Sequence, residues 1–123
     1  MSIQGFNNGP LTYLTGATPI PDGCLATLTS VAGTVTLCGD LGFPIGIADG
    51  LVPAATYGTF RPLRGRVRLI ASGAITAGDF VIPDAAGKVA TADSAAVRDA
   101  ELIGQAETTT TTDGDVVYVA CPR

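Results

Sequence analysis

The chain contains no histidine and no tryptophan. Without histidine, no Ser-His-Asp or Cys-His arrangement is possible, and proton shuttling near neutral pH loses its usual side chain. Without tryptophan, and with only three tyrosines and four phenylalanines, flat aromatic platforms for stacked bases or sugar rings are scarce. Charge is scarce too: Asp, Glu, Lys and Arg make up 15% of the residues. A small soluble domain usually spreads more charge than this over its surface, so part of the surface is expected to lie under a second copy or a partner. No Lys or Arg precedes Arg61, and the net charge of −4 opposes non-specific nucleic-acid binding. No apolar run is long enough to span a bilayer. The start, "MSIQGFNNGPLTYLTG", has neither a basic residue nor a continuous apolar block, so no signal peptide and a reducing cytoplasm are expected.

The three cysteines, Cys24, Cys38 and Cys121, cannot all pair within one chain. They are expected as reduced thiols packed like small hydrophobes, with a Cys24–Cys38 disulfide as the lesser alternative. CxxC is absent along with histidine, so neither a metal nor a cofactor is expected. Most carboxylates sit at turn positions, among them Asp22, Asp40, Asp49, Asp84 and Asp113. There they bond their own backbone more readily than they catalyse. No catalytic, cofactor-binding or metal-binding residue is assigned, and the chain is not expected to be an enzyme. Lys88 stands at a hairpin tip, "DAAGKVA", as the modified lysine of biotin and lipoate carriers does. The acidic or methionine neighbours that their modifying enzymes read are missing.

What is present is a β pattern. The length of 123 residues suits one domain, and 46% hydrophobic residues can form a core. "CLATLTS", "GTVTLCG", "GRVRLIAS", "DFVIPD", "GKVATA" and "DVVYVACP" read as short strands between turn signals. In "GRVRLIAS" and the arginine before it, Arg64, Arg66 and Arg68 share one face, and Val67 and Leu69 the other. "DSAAVRDAELIG" is the one helix-like piece, capped by Asp93 or Ser94. "TTTTT" at 108–112 reads as a rim segment or edge strand.

The pattern also repeats. "IPDGCLA", "GTVTL", "PIGIAD" and "YGTFRPL" are followed in the same order by "ITAGDFV", "GKVAT", "LIGQAE" and "DGDVVYV". Gly23, Gly33, Gly46 and Gly58 then match Gly78, Gly87, Gly104 and Gly114. The expected fold is all-β: a small barrel or sandwich built from two repeated β units, about 19–70 and 71–123, with at most one short helix. Residues 1–18 are expected to form an extended N-terminal arm. Its apolar residues Ile3, Phe6, Leu11, Tyr13 and Leu14 sit among turn formers, which marks the arm as a docking element. Arg64, Arg66 and Arg68 form the second candidate interface, suited to carboxylates.

The second half carries a resemblance. Ala77, Gly78, Asp79 and Val81, then Gly87 and Val89, then Ile103, Gly104 and Ala106, and finally Gly114, Asp115, Val117 and Val119 resemble the recurring segments of the head decoration, or capsid cement, proteins of tailed bacteriophages. The resemblance covers the second half well and the first half through the repeat. It implies a structural virion protein, made in the bacterial host cytoplasm and placed on the outer capsid surface. Its partner would be the shell of major capsid protein, and it would act as a homo-oligomer, most often a trimer, that stabilises the capsid. Nucleic acid and membrane are not expected partners. The alternative reading is a carbohydrate- or cell-surface-binding module displayed on the virion.

Overall fold

A computed structural model describes residues 11–39, 43–92 and 103–121. Ten short strands appear in chain order: β1 (Leu11–Thr15), β2 (Leu25–Leu28), β3 (Thr34–Leu37), β4 (Gly46–Ala48), β5 (Tyr57–Arg61), β6 (Arg66–Ile70), β7 (Phe80–Pro83), β8 (Val89–Thr91), β9 (Gly104–Ala106) and β10 (Val116–Ala120). The first five close into a barrel in the order β1-β3-β2-β4-β5, with β1 parallel to β3 and antiparallel to β5. The last five form a sheet in the order β6-β10-β9-β7-β8. A parallel bridge between Ala71 and Val89 joins the ends of that sheet, so the second circuit repeats the first. Among the described residues the one helical element is a 3-10 turn at Ala85–Gly87, and no helix is long and apolar enough to cross a membrane. The all-β fold of two repeated units is therefore present.

The repeat extends to individual backbone bonds. Gly23 N–H donates to Ala48 C=O at 3.1 Å, and Gly78 N–H to Ala106 C=O at 2.8 Å. Ile20 and Val52 exchange a bond pair as Ile75 and Thr110 do. Asp49 N–H meets Thr59 C=O as Glu107 N–H meets Tyr118 C=O. Gly46 and Gly104 each open a strand, and a Cβ on either would press on the backbone oxygen of Arg61 or Ala120 respectively. Gly58 and Gly114 are not equivalent, contrary to the sequence alignment. Gly114, at φ +96°, occupies the turn before β10. Its counterpart before β5 is Ala55, a non-glycine residue at φ +52°. Gly58 lies inside β5, where an added Cβ would stand 2.5 Å from a Val52 methyl.

The unit boundaries also shift. The first unit runs from β1 to β5 and the second from β6 to β10, so β6 opens the second copy instead of closing the first. Nor do the copies combine into one barrel, since the first closes on its own. The arm expected over 1–18 is corrected in the same way. Leu11, Tyr13 and Leu14 pair with Phe60, Gly58 and Tyr57 of β5, and the Tyr13 ring meets Phe60 edge-on at 6.0 Å. Without this strand β3 and β5 would be left with open edges, and closure removes them. Ile3 and Phe6 lie outside the described residues, as do residues 93–102 of the helix-like segment.

Two cores hold the units. Ile20, Ala26, Val35, Val52 and Phe60 fill the first barrel. Leu25, Cys38 and Ile47 of the first unit join Leu69, Val81, Val89, Val117 and Val119 of the second. The hairpin tip of the second unit seals this junction. Gly87 N–H donates to Cys38 C=O at 2.8 Å. A Cβ there would stand 2.9 Å from Cys24 Cβ, Leu25 O and Leu37 Cδ2, so only glycine lets the tip approach so closely. The hairpin holds the two units together.

Candidate functional site

Pro62 ends the β5 run, and Gly65, at φ +64°, turns the chain into β6. Strand alternation then buries Val67 and Leu69 and exposes Arg66 and Arg68. Arg64 lies in the connection before the strand, yet faces the same space. That space is an open cleft of about 1010 Å³ between the units. Arg61, Arg64, Arg66 and Arg68 line it together with Asp22 and Asp49. The three arginines expected from the sequence are thus brought together. Arg61, Asp22, Asp49, Glu107 and Tyr118 complete the group and were not expected.

The carboxylates expected on another molecule lie partly in this chain. Arg66 Nε donates to Glu107 Oε1 at 2.6 Å, and its guanidinium stacks over the Tyr118 ring at 4.5 Å. Arg61 and Arg68 stand 3.6 Å from Asp49 and Asp22, which is too long for a good hydrogen bond. Among the described residues no carboxylate pairs with Arg64. These pairs are solvent-exposed, so each contributes only about 0–1 kcal/mol to stability. Asp49 and Glu107 are repeat equivalents, each following the fourth strand of its unit, β4 and β9. The repeat is the one sequence signal that relates the two.

Cys24, Cys38 and Lys88 are not activated. Burial pushes the Cys38 thiol up to about 11 and raises Cys24 as well. Both stay protonated near neutral pH, and a thiol is a poor nucleophile. Lys88 Nζ donates to Asp113 at 2.7 Å, and that bond raises its pKa, the opposite of an activated amine. Among the described residues no group of His, Cys, Asp and Glu side chains has the arrangement of a metal site. The threonine run is structural. The Thr108, Thr109 and Thr110 hydroxyls accept from the Tyr118, Ala77 and Ile75 amides. The Thr111 and Thr112 amides donate to the Asp115 carboxylate at 3.0 and 3.1 Å. Those two bonds hold the Asp115 pKa below the usual carboxylate range.

Neither the models of known protein families nor the curated proteins contain a match to this chain. Among solved structures, the chain is similar to the N base of head fiber gp8.5 of bacteriophage phi29. The TM-score is 0.75 at 16% identity, over 91% of this chain and 92% of that one. At this identity the likeness is one of fold.

Proposed function

We propose that this chain is a structural protein of a phage virion, associated with the head and acting through its surfaces instead of through chemistry. The observation that carries the reading is the shared fold with a phage head fiber base across nearly the whole length of both chains. The arginine cleft adds to it, as guanidinium groups in an acidic protein suit carboxylates on a protein surface. So does the resemblance of the second unit to capsid cement proteins.

In its finer form, the proposal places the protein on the outer face of the assembled shell, as an oligomer that braces neighbouring capsid subunits. A chain of 12.3 kDa offers little area against the roughly 1,200–2,000 Å² of a stable interface. An oligomer multiplies weak contacts through effective concentration. Cryo-electron microscopy of heads lacking the protein, before and after its addition, tests this form. New density on the outer surface at regular positions is expected, and unchanged heads would refute it.

A further inference from the structure

The junction between the units is asymmetric. The second unit's tip, around Gly87, docks on the face that β2 and β3 present at Cys24, Leu25 and Leu37. The first unit builds a related tip one residue longer: Gly33 has φ +74° and Gly87 has φ +75°, whereas the positive φ of Ala86 in the 3-10 turn has no counterpart in the first tip. Around Gly33, however, an added Cβ would meet nothing within 4 Å. Beside it Val31 is 63% exposed and Leu28 is 52% exposed, whereas the repeat equivalent of Leu28, Pro83, is fully buried. The receiving face is also duplicated. Leu25 is fully buried beneath the tip, and its repeat equivalent Phe80 is 53% exposed. Among the described residues, each chain therefore makes the tip-on-face contact once internally and carries one open tip and one open face.

We propose that copies of this chain associate head to tail, with the first unit's tip of one copy docking on the second unit's face of the next. The Gly33 amide and the Ala92 carbonyl are the counterparts of the Gly87 amide and the Cys38 carbonyl, which meet at 2.8 Å. Leu28 and Val31 then cover Phe80. The contact uses different patches on its two sides, so it is heterologous, and such contacts propagate until a rotation closes them into a ring. The inference rests on the internal repeat and is independent of attachment to a shell.

The test uses Val31→Asp, which spoils the tip, and Phe80→Asp, which spoils the face. Both positions are exposed, and thermal melting checks that each variant remains folded. Sedimentation velocity of the intact chain should show mass growing with concentration, and each variant alone should sediment as a monomer. A mixture of the two variants retains one intact tip and one intact face, so it should form a one-to-one dimer that grows no further. A monomeric intact chain, variants that still associate, or a mixture that stays monomeric would each overturn the proposal. If the variants fail to fold, Val31→Ser and Phe80→Ser are read in the same way, with weakened association expected for each.

Discussion

Adding a single methyl group at Gly104 and at Gly46 should have unequal effects. Both glycines open a strand, and neither has positive φ, so alanine is compatible with both backbones. At Gly104 the new Cβ would lie inside the envelope of the Ala120 carbonyl oxygen, with the carbonyl carbon at 2.9 Å and a Val119 methyl at 3.0 Å. A carbonyl in the β9–β10 ladder cannot rotate away without breaking the pairing of Ala120 with Gln105. At Gly46 the nearest atoms are Arg61 O at 3.0 Å and Phe60 Cβ at 3.3 Å, and a shift of a few tenths of an ångström relieves them. Overpacking costs about 1–3 kcal/mol, and Gly104→Ala belongs at the upper end or beyond. Replacing glycine removes unfolded-state freedom and returns roughly 0.4–1 kcal/mol in each variant. The net loss is about 2 kcal/mol or more for Gly104→Ala and close to zero for Gly46→Ala. Urea unfolding followed by circular dichroism measures it. With a slope near 1–3 kcal/mol per molar, the Gly104→Ala midpoint should fall by about 1 M and the Gly46→Ala midpoint should barely move. Equal midpoints, or a larger loss at Gly46, would refute the reasoning.

Other expectations concern acid, thiols and the first strand. The folded-state pKa of Asp115 is depressed, so its stabilising contribution is fully present above the ordinary carboxylate pKa. It disappears as pH falls through the lower folded value. Asp115→Asn should therefore melt below the intact chain at neutral pH and approach it in acid, as melting curves across that range will show. Cys38 is buried, with its pKa at about 11, so mass spectrometry after iodoacetamide treatment at neutral pH should find it unmodified in the native protein and modified in urea. Deleting residues 2–10 should leave the barrel intact, whereas deletion through Thr15 removes β1 from between β3 and β5 and should abolish the first unit's cooperative melting.

Much of the fold was legible because its signals are local. Alternation in "GRVRLI" placed Val67 and Leu69 inside and Arg66 and Arg68 outside, as the structure has them. Glycine spacing revealed the duplication because Gly23, Gly33 and Gly46 and their partners mark real turns and close approaches. The same reasoning failed at Gly58, because the equivalent turn uses Ala55 at positive φ. It also read β1 as an arm, since the partners of Leu11–Thr15 lie in β3 and β5, well beyond any local turn. The arginine row was visible in sequence, but its carboxylates were not. Arg66 and Glu107 are separated by 41 residues, and only the pairing of β10 with both β6 and β9 brings them together. The threonine run was opaque for the same reason, as its hydroxyls serve backbone amides from two distant segments, at Ile75 and Ala77 and at Tyr118.

The central claim, that this is a head-associated structural protein, is tested most directly by sedimentation. Purified protein is mixed with undecorated heads of the phage proposed to carry it and, separately, with unassembled capsid subunits, and each mixture is pelleted at low and at moderate salt. A site composed of several capsid subunits exists only on the assembled shell, so the protein should pellet with heads and not associate with free subunits. Exposed ion pairs contribute little and are the contacts that salt screens, so most of the binding should survive moderate salt. Equal association with free subunits, or no association with heads, would contradict the account.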